Sequence, residues 1–147
     1  MLKSILVAID ASGPSHRAVD LAADMAVKYN AQLYLLHVMR DMDLPPELSH
    51  MAEVEHIHGP RSDVLTFVGK KILNDAKERA KKKGAARIET ELKPGDPATT
   101  LIEYANAHNI DLIVMGTRGL GNVKSALMGS VSRKVSNLSD SNVMIVK

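Results

Sequence analysis

The sequence contains no cysteine and no tryptophan, and aromatic residues make up only 3% of it. Without cysteine there can be no disulfides and no zinc–thiolate sites, and the chain suits a reducing compartment. So few aromatics leave little with which to stack bases, which argues against a single-strand nucleic-acid platform. Charge is nearly balanced, at +2 with the histidines neutral, so there is no electrostatic footprint for nucleic acid. No run reaches the ~18 apolar residues of a membrane span. Met1-Leu-Lys-Ser4 leads straight into a strand pattern, with no leader peptide indicated. The expected setting is the cytoplasm. What is present is 45% hydrophobic content over 147 residues, enough for one ordinary core, so residues 1–147 are read as a single domain. The eight methionines are scattered and read as core filler.

Short apolar runs alternate with helical stripes. Ile5–Ile9 reads as a buried strand that stops at Asp10. Ser12-Gly-Pro14 then opens a helix, with Ser12 or Gly13 as cap and Ala18, Leu21, Ala22, Met25 and Ala26 as its apolar stripe. Asn30 ends it, and Gln32–Val38 is the second strand. The stretch from Asp41 to Pro60 is irregular, and its His50, His56 and His58 read as exposed loop residues rather than metal ligands. A long helix is predicted over Ser62–Lys83, set in phase by Val64, Phe67, Val68 and Ile72. Its basic end, Lys77 to Lys83, reads as a solvated face that suits the helix dipole. Arg87–Leu92 alternates like an edge strand. Asp96 and Pro97 are placed as N-cap and first residue of the next helix, with Leu101, Ile102 and Ala105 inside. Leu112–Met115 is the fourth strand. A helix from Val131 follows, with Val131, Val135 and Leu138 on one face, and Val143–Val146 is the last strand. Strands and helices in this alternation predict an α/β fold. The expected form is a doubly wound, five-stranded parallel sheet of order 3-2-1-4-5, with helices on both faces. The reversal of strand order then falls between the first and fourth strands, so Asp10 and Gly116 end up side by side where such sheets bind ligands.

After the fourth strand come Gly116, Gly119 and Gly121, and later Gly129-Ser130 just before a helix. Glycines let a backbone come close to a phosphate, and a helix start adds unpaired N–H donors. Ser130 and Ser132 can add hydroxyls, and Arg118 a charged fork. The same layout also serves as a plain strand–loop–helix connection. Asp10, at the tip of the first strand, can hold a magnesium ion bridged to phosphates, accept from a ligand, or cap the following helix. For Asp96 the cap is the better account.

The spacing is neither a Walker A loop nor G-x-G-x-x-G. Gly116-Thr-Arg-Gly119, nine residues, then Gly129-Ser130 resembles the ATP-binding branch of the universal stress protein (UspA-like) family. Asp10-Ala-Ser12 and His37-Val38 match further positions of that family, and the match spans the chain. One departure is Asn142 before the last strand, where relatives usually carry proline. The resemblance implies ATP as ligand, with Ala8, Ile9 and Val38 on the adenine side and Asp10 touching the nucleotide. It puts Met115, Gly116, Arg118, Gly119, Gly129, Ser130, Val131 and Ser132 on the phosphate and ribose side.

The function expected is a small ATP-binding regulatory or stress-response protein with slow or absent ATP turnover. The alternative is an ATP-using enzyme, a slow ATPase or a nucleotidyl or phosphoryl transferase. No general base is placed for one, and 147 residues leave little room for a second substrate. A pure interaction protein without nucleotide ranks last. Val143, Met144, Ile145 and Val146 form an apolar terminal strand expected at a sheet edge, where a second copy can pair. The resemblance implies an antiparallel homodimer there, and it admits a protein partner such as a transporter.

Overall fold

The computed structural model describes residues 1–40, 61–117 and 128–147. Its elements are β1 (Ser4–Ala8), α1 (Gly13–Tyr29), β2 (Gln32–Met39), α2 (Arg61–Lys82), β3 (Ile88–Pro94), α3 (Pro97–Ala107), β4 (Leu112–Gly116), α4 (Ser130–Leu138) and β5 (Asn142–Val146). All five strands run parallel, in the order β3-β2-β1-β4-β5. The predicted topology is the observed one. Residues 41–60, with their histidines, lie outside the described residues.

The central strands are apolar without interruption because both their faces are covered. Side chains alternate across a strand. Ile5, Val7, Ile9, Leu33, Leu35 and Val114 therefore join α1 and α2 in one core. Leu6, Leu36, Ile113 and Met115 join α3 and α4 in the other. All of these are buried.

Two helical phases differ from expectation. On α1 the buried face is Ser15, Ala18, Val19, Ala22, Ala23 and Ala26, while Leu21 is 38% exposed. The small residues let this helix lie close on the sheet, which turns its bulkier Leu21 outward. Leu138 shares a helical face with Val131 and Val135 but is 61% exposed. It is the last residue of a nine-residue helix that ends at Ser139, past the end of the core.

Helix starts follow the sequence closely. Ser12 caps α1 by accepting from the Ser15 N–H at 3.2 Å. Asp96 caps α3 by accepting from the Thr99 N–H at 3.0 Å. Each such cap satisfies an amide the helix leaves unpaired.

Candidate functional site

The ends of β1 and β4 lie side by side, with Val7 opposite Val114. Past them a chain of contacts links the residues singled out in the sequence. The Ile9 N–H donates to the Leu36 carbonyl at 2.8 Å, tying the tip of β1 to β2. Next comes Asp10, whose N–H donates to Ser15 Oγ at 3.0 Å. Its Oδ1 accepts from the Ser12 N–H at 2.8 Å. This carboxylate therefore shapes the turn into α1 with one oxygen, and Oδ2 has no partner among the described residues.

Gly116 sits against the start of α1. A Cβ built on it would lie 2.7 Å from Pro14 Cβ and 3.0 Å from the Pro14 carbonyl carbon. The approach of α1 is enough by itself to require glycine at this position, a reason the sequence did not suggest. On its other side the Gly116 carbonyl accepts from Ser132 Oγ at 2.7 Å, and the Gly129 N–H donates to the Thr117 carbonyl. These bonds fix the start of α4 beside the end of β4.

Ser132 is 2% exposed, and its hydroxyl proton goes to Gly116. It therefore holds the two elements together, a structural role that the sequence did not suggest. Met115 is buried in the α3–α4 core. Arg118 and Gly119 lie outside the described residues.

Helix α4 starts differently from α1 and α3. Its N-cap is Gly129, extended at φ −64° and ψ 164°, with no side-chain hydrogen bond to the first turn. The amides of Ser130 and Val131 thus open the helix without an acceptor from their own cap. Such a start attracts anions.

Charged groups flank the site. Asp96 carries Lys134 Nζ at 3.5 Å and Arg40 Nη2 at 3.9 Å. The Thr99 N–H, with Lys134 adding to it, holds the Asp96 carboxyl below the usual range. That carboxylate is engaged as a cap, as expected. On the α1–α2 side a cleft of about 570 Å³ opens beside Ile9, Asp10 and His16. Across it Arg79 Nε and Nη2 reach the Asp20 carboxylate at 2.7 and 2.8 Å. Of the described residues expected at the nucleotide, this cleft touches Ile9 and Asp10.

One residue at this end was missed as a side chain. His37 Nδ1 lies 2.6 Å from the Ile9 carbonyl. Burial pushes the ring's pKa below its ordinary 6.5, against the opposing pull of the Ile9 carbonyl and Asp10. Only the His37-Val38 pair at a strand end hinted at it.

Among the described residues no group of three or more histidine or acidic side chains could hold a metal ion. No described helix is long and apolar enough to cross a membrane.

Residues 1–147 match the universal stress protein family. The universal stress protein YxiE of Bacillus subtilis is 38% identical over 149 residues, covering all of both chains. Among solved structures, a universal stress protein in complex with cAMP is 30% identical, with a TM-score of 0.70 over 99% of this chain and 96% of that one. UspA of Lactobacillus plantarum is 26% identical, with a TM-score of 0.79 over 99% of this chain and 98% of that one. With the sheet order, the paired tips of β1 and β4 and the full-length match in agreement, this chain belongs to the universal stress protein family.

Proposed function

We propose that this protein is a small regulatory nucleotide-binding module of the ATP-binding branch of its family, with ATP as its ligand. The observation that carries the reading is the start of α4. Its cap contributes no side chain, and it is pinned beside Gly116, which packs on the start of α1. A polyphosphate there would meet the amides of Ser130 and Val131, the Ser130 hydroxyl and, by the glycine spacing, Gly119 and Arg118. The base would lie toward Ala8, Ile9 and Val38. A 30% identical relative solved with cAMP supports an adenine nucleotide. Asp10 Oδ2, together with phosphate oxygens, fits the oxygen ligands that magnesium prefers.

Binding would set the stretch between Gly116 and Met128 and so change a surface that partners read. The proposed setting is the cytoplasm, in keeping with a chain free of cysteine. β5 stands at the edge of the sheet, with Val143, Met144, Ile145 and Val146 half-buried. We place a homodimer contact along it, since an open edge offers backbone groups to a second copy. A monomer in sedimentation at micromolar concentration would contradict that contact.

Equilibrium dialysis of nucleotide-stripped protein against labelled ATP tests the reading. Saturable uptake is expected, and no uptake at millimolar ATP would overturn it. Turnover with an acceptor substrate above about 1 per second would instead place the protein among ATP-using enzymes.

A further inference from the structure

The tips of β1 and β2 depart from the ladder that joins these strands. Along a parallel strand, successive residues turn their N–H and C=O to opposite neighbours. The Gln32 N–H goes to the Lys3 carbonyl, and the Leu36 carbonyl receives the Ile9 N–H. Even-numbered residues of β2 therefore face β1 with their backbone groups. The Leu33 N–H goes to Arg87, so odd-numbered residues face β3. The ladder's next bond would run from the Val38 N–H to the Ile9 carbonyl. Among the described residues it is not made. That carbonyl instead meets His37 Nδ1 at 2.6 Å. A carbonyl can only accept, so Nδ1 carries the proton. The ring is held from the other side by α2, where a Cβ on Gly69 would come within 3.1 Å of His37 Cδ2.

We propose that His37 is a positioning residue for base recognition. By occupying the Ile9 carbonyl it keeps the Val38 N–H unspent. That N–H and the carbonyl beside it then form a free strand edge, able to read a purine edge that offers an acceptor next to a donor. Adenine offers N1 and its 6-amino group in that order. Hypoxanthine, with N1–H and O6, offers the reverse. The inference rests on the nucleotide reading above and assigns the basis of its base preference.

The test compares affinities for ATP, ITP and inorganic tripolyphosphate in stripped wild-type protein, His37→Phe and His37→Asn. Phe keeps a ring in place but has no donor. The Asn amide nitrogen, one bond from Cγ like Nδ1, keeps the donor. His37→Phe should lower ATP affinity about tenfold, the scale of one hydrogen bond, and bring the ATP-to-ITP ratio close to one. Tripolyphosphate affinity should not change, and His37→Asn should retain the preference for ATP. In free wild-type protein the Val38 amide should exchange its hydrogen freely, and in His37→Phe it should become protected.

An unchanged ATP-to-ITP ratio in His37→Phe would overturn the inference, as would an equal loss in His37→Asn. So would a protected Val38 amide in the free wild-type protein, a readout that decides even if His37→Phe does not fold. Wild-type protein that takes up no ATP sinks the nucleotide reading and this inference together. Wild-type protein that binds ATP, with His37→Phe keeping the preference, sinks this inference alone.

Discussion

The two ends of the sheet are finished in opposite ways. Where β1 and β4 begin, polar groups close on one another. The Asp111 carboxylate accepts from the Lys3 N–H at 2.8 Å and the Ser4 N–H at 3.1 Å. Ser4 Oγ donates to the Asn109 carbonyl and accepts from the Asp111 N–H. Ser141 Oγ donates to the Ile110 carbonyl. The bond from the Lys3 N–H first, and then those from Ser4, hold the Asp111 carboxyl below its ordinary range. Where the same strands end, α4 starts from a glycine cap, Asp10 has an oxygen to spare, and the Val38 N–H is released by His37. A polar group satisfied within the chain serves stability, and one left open is a place for a ligand. The contrast is the ground on which the proposed site is put at the carboxyl end of the strands.

The contrast can be broken from either side. The largest effect is expected for Gly116→Val. Its new Cβ would meet Pro14 at 2.7 Å, and α1 would have to shift. Urea unfolding should show a loss of about 1–3 kcal/mol, the usual scale of overpacking. Because α1 moves, ATP affinity should fall with it. Unchanged stability would mean that the helix start is not seated on this glycine.

Ser130→Pro acts on the ligand end alone. Proline suits the first position of a helix, and Gly129 already has the extended backbone that a residue before proline adopts. The variant loses one amide donor and one hydroxyl. Tripolyphosphate affinity should fall about tenfold in a calorimetric titration, with the fold intact. Unaltered affinity would separate α4 from the phosphates.

Asp111→Ala acts on the closed end. It should cost roughly 1 kcal/mol in urea unfolding, a modest figure because the residue is only partly buried. ATP affinity should stay as in the wild type. A fall in affinity would show that the two ends are coupled.

The smallest effect is a pH dependence from His37. Its folded pKa lies below the unfolded 6.5. Above the unfolded value neither state is protonated, and the group contributes nothing to the slope. As pH falls below it, the unfolded chain takes up the proton first, so stability drops until the folded pKa is reached. Between about pH 7.5 and about 5.5 the urea midpoint should fall more in wild type than in His37→Asn. An equal fall in both would contradict a buried, neutral ring.

Much of this was legible in the sequence. Uninterrupted apolar runs between helical stripes gave the doubly wound sheet and its order. Ser12 and Asp96 announced two helix starts by their side chains. The pairing of β1 with β4, which sets their ends side by side, followed from topology alone. Strand limits moved by a residue or two, as when β2 ran on to Met39 and β3 to Pro94.

Other features depend on approach distances that no pattern of residue types carries. The alanines of α1 bring it close enough to turn Leu21 outward. That same helix's start makes glycine obligatory at 116, a reason invisible in the glycine spacing itself. The tie from Ser132 to the Gly116 carbonyl was not legible because the two residues are distant in sequence. His37 was noticed only as part of a strand end. Its bond to Ile9 replaces a ladder bond, and a missing backbone bond leaves no mark on a sequence.

Amide-resolved NMR of stripped protein titrated with ATP tests the central claim most directly. Saturable shifts are predicted at Asp10, Val38, Gly129, Ser130 and Val131, with Lys3, Ser4, Asn109 and Asp111 still. If ATP saturates the protein while the first group stays silent, or shifts the second group instead, the open end of the sheet is not where the nucleotide binds.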